Sequence, residues 1–293
     1  MRVTDNIRMV GLLRTNATSS GRLNTASRRA SAGARVVLPS DDPVSYTTAV
    51  RRGSTLVDIS SRTRTARTAS DELSIAERAL EATTELMSEA KSLAVQGAND
   101  TLSPADRKTL AQRVVGLREQ VLQLANTRGA SGYLFAGSRT DVAPFDNTGT
   151  FQGNDTVMRV AVTDGISSKM NVSGARAFTS AGGRDVLADL SALATALDTN
   201  DITAIRSGMD NVQAGYDQIV AVQVDAGLTM ERLRSAADVL DESSLAIEQG
   251  LARDIGADTL VDLATELSAA SSAYSQSLEV TRRLLALPSL ASG

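Results

Sequence analysis

The sequence predicts a mainly α protein: a long antiparallel coiled-coil helical rod formed by the N- and C-terminal segments, with a small β-rich domain inserted at its far end. Three observations carry this reading. The two ends are amphipathic and oppositely charged, since residues 1–70 hold twelve Arg and four Asp, net +8, and residues 185–293 hold six Arg against seventeen Asp and Glu, net −11. The middle is short, Gly-rich and strand-like. Only 3% of the 293 residues are aromatic, and the apolar 42% is mostly Ala, Leu and Val, side chains that fill helix seams better than a large globular core.

In chain order, the first forty residues are rich in Ser, Thr, Asn and Arg, with Ile7, Val10, Leu13, Ala17 and Leu23 as a thin apolar stripe at helical spacing. So few large side chains do not offset ~1–2 kcal/mol per residue of backbone ordering, and the segment is expected to stay mobile until a partner covers it. At GARVVLPSDDP (33–43) the helix breaks, because Pro39 and Pro43 disfavour helical geometry in the residues before them. A new helix is predicted from there to about 95, with Ser40 or Asp41 as N-cap and Pro43 in its first turn. Asp41 and Asp42 suit the helix dipole better than a catalytic or metal role, because no further ligands lie nearby.

Residues 97–100 supply a turn. Ser103, Pro104 and Asp106 have the form of a capping box with Pro at the first helical position. Leu110, Val114, Leu117, Val121 and Leu124 then alternate spacings of four and three, a coiled-coil seam. GASGYLFAG (129–137) ends this helical half. Gly132 and Gly137 have phosphate-loop spacing, but Ser138 and Arg139 stand where the motif needs Lys and then Ser or Thr, so nucleotide binding is excluded. Between 138 and 184, runs such as 157–163 and 169–172 read as a small antiparallel sheet. Helix returns near Val186, with a heptad through Ile202, Ile205, Met209, Val212, Tyr216 and Ile219, continued by Met230, Leu233, Ala237, Leu240, Ile247 and Leu251. Gln223 and Ser244 interrupt it, and polar seam positions of this kind fix register at some cost in stability. A last helix beyond Gly256 shows Leu260, Leu263, Leu267, Tyr274, Leu278 and Leu285, a broad apolar face that needs cover, and Pro288 halts it. The expected domains are 1–38 with 256–293, 39–137 with 185–255, and 138–184.

Composition excludes much chemistry. With neither Cys nor His present, thiolate catalysis, disulfides, Cys/His zinc sites and imidazole acid–base catalysis all fall away. No catalytic, metal-binding or cofactor-binding residue is assigned, no cofactor is expected, and an enzyme is the least fitting class. Arg outnumbers Lys 27 to 3, but the Arg are scattered, without interleaved aromatics, and the net charge is −4, so no nucleic-acid partner is expected. No apolar run reaches the ~18 residues that span a bilayer, so no membrane insertion is expected. The N-terminal MRVTDNIRMV lacks the apolar core of a signal peptide, which implies a soluble chain or an export route that does not read one.

PSDDP at 39–43, AVQGANDTLSPADR at 94–107 and YLFAG with the following Pro144-Phe145 resemble the flagellin-like proteins of the bacterial flagellum. FQGN at 151–154 and the small sheet that follows are similar to the junction members of that family more than to its filament members. The resemblance covers nearly the whole chain. It implies a structural component of the flagellum, extracellular, exported unfolded through the flagellar type III channel and assembled at the hook–filament junction as an adaptor. The implied partners are further copies of itself, other flagellar hook-associated proteins, flagellin, and an export chaperone at the C-terminal region. The terminal helices are implied to form the inner tube. The tail, Ala286 to Gly293, departs from the apolar-acidic-aromatic ending usual in the family. Flagellin forming the filament itself and a cytoplasmic coiled-coil scaffold stand as alternatives. The predicted assembly interface is Ile7, Val10, Leu13 and Leu23 at one end and Leu260, Leu263, Leu267, Tyr274, Leu278 and Leu285 at the other, with buried apolar area supplying affinity and charge supplying orientation.

Overall fold

The computed structural model describes residues 2–163, 166–257 and 260–286. In chain order it runs α1 (Arg2–Ala32), α2 (Pro43–Gly97), α3 (Pro104–Ala125), β1 (Arg128–Gly129), β2 (Gly132–Tyr133), β3 (Arg159–Thr163), β4 (Ile166–Lys169), α4 (Gly174–Phe178), a 3-10 turn at Ser180–Gly182, α5 (Val186–Asp198), α6 (Ile202–Ile255) and α7 (Leu260–Ala286). Long helices and two small antiparallel sheets make up the fold, as the seams and the Gly-rich middle predict. The chain divides into two compact units, Met1–Ile59 with Glu242–Gly293 and Ser60–Asp241. The smaller unit joins the two ends of the chain, and the larger is one continuous stretch.

In the larger unit α2 and α6 run antiparallel, with Arg67 bonded to Asp241, Glu77 to Gln223 and Lys91 to Gln213. The seam positions face inward: Leu73, Leu80, Met87 and Leu93 of α2 and Ile205, Val212, Ile219 and Leu233 of α6 are all buried. Gln223, the expected interruption, donates to Glu77 at 3.0 Å, so the polar seam position is satisfied across the pair and a slip would orphan it. α3 packs on α5, also antiparallel, through Lys108 near Asp198 and Arg118 donating to the Leu187 carbonyl. Val114, Leu117 and Val121 meet an α5 that buries Leu187, Leu190, Leu193 and Leu197.

The chain has four Phe, and all of them meet in the inserted region. Phe178 lies edge-on to Phe135 at 5.4 Å and to Phe145 at 5.7 Å, and Phe145 lies 5.1 Å from Phe151. Pairs of this geometry contribute beyond their buried area. Low aromatic content therefore marks seam packing in the helices, with the large rings concentrated where helical periodicity stops.

Two local expectations are corrected. The cap of α2 is Asp42, whose carboxylate accepts the Ser45 N–H at 3.1 Å and the Ser45 hydroxyl at 2.7 Å; neither Ser40 nor Asp41 caps it, because Pro43 is the first helical residue and Asp41 is engaged elsewhere. The second strand of the inserted sheet is Ile166–Lys169, not 169–172, since the bulge between Ala161 and Thr163 sets the register at Arg159↔Lys169 and Thr163↔Ile166. Strand pairing also begins earlier than residue 138, at the β1–β2 hairpin. Pro288 and the rest of the tail lie outside the described residues.

Phe178→Ala removes the ring shared by the cluster and should destabilise the Ser60–Asp241 unit by ~3–5 kcal/mol, seen as a lower denaturant midpoint in chemical unfolding. A second outcome concerns acid. The Asp146 carboxyl is held down to about 2, first by the Thr148 hydroxyl and then by the Thr150 N–H. A depressed folded value means stability that is present above the unfolded value of ~4 and lost as pH falls through the folded one. Amide protection at Thr148 and Thr150 should therefore be constant above pH ~4 and vanish as pH approaches ~2, and Asp146→Ala should remove it at every pH; hydrogen exchange by NMR reads both.

Candidate assembly surface

The smaller unit is built on α1 and α7, which pack antiparallel: Arg29 donates to Glu266 at 3.2 Å and Ser277 to Asn16 at 3.4 Å. Gly33, at φ +64°, ends α1 in a left-handed turn that only Gly adopts freely. The chain then reverses through the PSDDP loop. Asp41 accepts the N–H groups of Leu38 at 2.9 Å and Val37 at 3.1 Å and pairs with Arg29 at 3.3 Å. These contacts, the Leu38 N–H foremost, hold its carboxyl below the usual range. Val36 N–H donates to the Ile255 carbonyl at 3.0 Å, and Arg52 lies 3.0 Å from Asp254. Arg29 and Arg52 of the basic end thus meet Glu266 and Asp254 of the acidic end, as the charge asymmetry anticipates.

The apolar stripe of α1 is split: Leu23 is half-covered, but Ile7, Val10 and Leu13 stand in solvent. The covered side of α1 is Leu12, Asn16, Leu23 and Ala26, whereas Ile7, Val10 and Leu13 are 66%, 49% and 57% exposed. Leu260 is likewise exposed at 59%, and Leu263 is buried within the unit. Leu23, Leu267, Tyr274 and Leu278 are half-buried, and the Leu285 side chain lies outside the described ones. The nine predicted residues with described side chains therefore fall into two groups: an inner set that holds the helix pair and an outer set of large apolar groups in water. Contiguous apolar groups left in solvent mark interaction surfaces.

The remaining motifs position backbone. Ser103 accepts the Asp106 N–H at 3.2 Å and donates to its carboxylate at 2.7 Å, closing the predicted capping box. Arg107 is buried and donates to the carbonyls of Gly97 and Asn99 and to the Asn200 side chain, so ANDTLSPADR ties the end of α2 to the start of α3 and to the α5–α6 turn. Asn154 stitches FQGN to YLFAG: its N–H donates to the Ala136 carbonyl at 3.1 Å and its side chain brackets Ser138. At Gly137, φ is +70° and a Cβ would lie 2.1 Å from the Asn154 carbonyl oxygen, which leaves room only for Gly. Asn126 bonds both backbone groups of Phe145, and Gln218 gathers Ala177, Thr179 and Arg184 onto α6. Sequence reading gave no structural role to Asn126 and Gln218, nor to Arg107 and Asn154 within the motifs that carry the resemblance, because a single polar residue carries no periodic signal. Among the described residues no group of three or more Asp or Glu is placed to hold a metal, and no helix is long and apolar enough to cross a membrane.

The family model of the bacterial flagellin N-terminal helical region matches residues 3–140. The flagellar hook-associated protein 3 of Escherichia coli (strain K12) is 36% identical over 152 residues, covering 51% of this chain and 48% of that protein. Its counterpart from Salmonella typhimurium (strain LT2) is 34% identical over the same extent. The matched stretch thus spans about half the length of these curated relatives. Among solved structures, FlgL of Xanthomonas campestris aligns with TM-score 0.62 at 17% identity over 69% of this chain and 99% of that one. The flagellar junction protein FlgL of Legionella pneumophila aligns with TM-score 0.56 at 16% identity over 70% and 100%; at these identities the likeness is one of fold. Residues 3–140 therefore match the bacterial flagellin N-terminal helical region, and over 69% of its length the chain shares a fold with FlgL of Xanthomonas campestris.

Proposed function

We propose that this chain is a structural component of the bacterial flagellum that is exported and assembled at the hook–filament junction as an adaptor between hook and filament. The observation that carries the reading is agreement between two independent likenesses: 152 residues match hook-associated protein 3 at 36% identity, and the fold over 70% of the chain matches the junction protein. The uncovered stripe Ile7, Val10 and Leu13 supplies the physical means. Each of these side chains gains at ~25 cal/mol per Å² when a neighbouring copy covers it, and repeating heterologous contacts of this kind build open helical or tubular assemblies.

In the assembled state, residues 1–38 with 256–293 form the inner layer, 39–137 with 185–255 the next, and 138–184 the outermost. Hook-associated proteins, flagellin and further copies are the partners, with an export chaperone holding the C-terminal region before secretion through the flagellar channel. Absence of Cys suits passage through such a channel, since no disulfide has to be broken. A second reading, flagellin of the filament, is favoured by the family model that matches residues 3–140. Copy number separates the two, because a filament repeats without limit and a junction stops after a short zone.

Immunogold labelling of intact flagella tests both. Gold confined to the hook–filament boundary supports the junction, gold along the filament the second reading, and gold nowhere on the flagellum overturns both. Val10→Asp with Leu13→Asp, at exposed positions, should change unfolding stability by no more than ~0.5 kcal/mol each while abolishing incorporation into flagella and motility. Normal motility of that variant would remove the stripe from the mechanism.

A further inference from the structure

One buried carboxylate of the larger unit lacks a counter-charge. Glu72, on α2, is only 9% exposed. One of its oxygens accepts the Ser131 N–H at 2.9 Å, and among the described residues it has no other hydrogen bond and no ionic partner. The nearby cations are engaged elsewhere: Arg128 lies over the Tyr133 ring, 4.4 Å from its centroid, and Lys169 pairs with Asp225 at 2.9 Å. A buried charge held by a single amide leaves most of its lost hydration uncompensated. Beside it is a cavity of about 140 Å³, similar in size to the ~150 Å³ apolar cavity that takes up benzene. Glu72 stands in its wall, and Leu73, Ala76, Met158, Met170 and Val172 line much of the rest. The Met170 N–H donates to the Met158 carbonyl at 3.0 Å and Asn171 accepts the Met158 N–H at 2.8 Å, so both thioethers are carried on the paired end of the β3–β4 hairpin. Ser131 is exposed and Tyr133, Met158 and Met170 are half-exposed, so the cavity is reached from solvent.

We propose that this cavity binds an organic cation: a guanidinium or primary ammonium head on an apolar stem, supplied by a free small molecule or by the arginine side chain of another protein. The head pairs with the Glu72 oxygen that Ser131 leaves free, and the stem lies along Leu73, Met158, Met170 and Val172. Long cationic side chains combine these two parts, a charged tip and a methylene stem that gains from apolar cover. The two Met, unbranched and polarisable, adapt their shape to the stem. A neutral apolar occupant would leave the carboxylate unpaired. A hard metal ion would exchange its water for thioethers and methyl groups, with one carboxylate to hold it, and it needs several oxygen ligands. Every residue of the site belongs to Ser60–Asp241, so the site is complete within one copy and independent of the assembly proposed above.

The chain has seven Met, few enough for each methyl group to be followed by NMR. Titration of the full-length chain with n-butylguanidinium should shift the Met158 and Met170 methyl signals and the Ser131 amide saturably, and 1-butanol, which has the stem without the charge, should not. Acetyl-arginine methylamide, titrated separately, distinguishes the sources: saturation by both cations puts the site within reach of another protein's arginine, and saturation by n-butylguanidinium alone restricts it to free cations. Glu72→Gln keeps an acceptor for the Ser131 N–H and removes the charge, so it should weaken binding on the order of tenfold while the amide spectrum away from the cavity stays unchanged. No saturable shift with either cation, or equal affinity in the wild-type chain and Glu72→Gln, overturns the site and leaves the proposed function standing.

Discussion

The antiparallel pairing of chain ends is the constraint on which the rest of the structure depends. The smaller unit is made from the two ends of the chain, and within the larger, one continuous stretch, the early helix α2 pairs with the late helix α6. Arg67 with Asp241, Glu77 with Gln223 and Arg29 with Glu266 join residues more than a hundred positions apart. Polar contacts of this kind, the exposed ion pairs above all, are worth little individually; they orient a pairing whose free energy comes from the buried Leu, Ile and Met of the seams. With few aromatics, those seams rely on regular spacing, and this explains why a polar seam residue such as Gln223 has to find Glu77.

Where periodicity ends, a different kind of stabilisation takes over. The inserted region holds little regular strand, and its order comes from the Phe cluster and from side chains that bond backbone: Asn126 on Phe145, Asn154 on the Ala136 turn, Asp146 on its own turn, and Gln218 on the segment after α4. Each satisfies buried or turn-forming amides that have no ladder partner. The Phe ring cluster and these four side chains together do for the insertion what the heptads do for the helices.

This division also explains what could be read from residues alone. Heptads at Leu110–Leu124 and Ile202–Leu251, the capping box at Ser103, and the breaks at Gly33 and Gly256 are local patterns, and the structure reproduces them. The Asp42 cap was hidden by two adjacent acids with equal capping propensity; only the loop, which commits Asp41 to Val37 and Leu38, decides between them. The stripe on α1 was legible as apolar, but its direction was not, because a weakly amphipathic helix has two faces able to meet α7. Arg107, Asn126 and Asn154 act through partners set by the tertiary fold, and a lone residue cannot announce such a partner.

The partners of α1 stand at the opposite extreme of the polypeptide: Asn16 meets Ser277 across 261 positions. Closing so long a loop costs on the order of 5 kcal/mol of chain entropy, whereas the contacts of α3 with α5 close much earlier. A polypeptide delivered end first, from a ribosome or through a narrow pore, can therefore begin to organise its central portion while its leading helix waits. That helix gains its mate only when the α7 segment has emerged, so the smaller unit is the last to close.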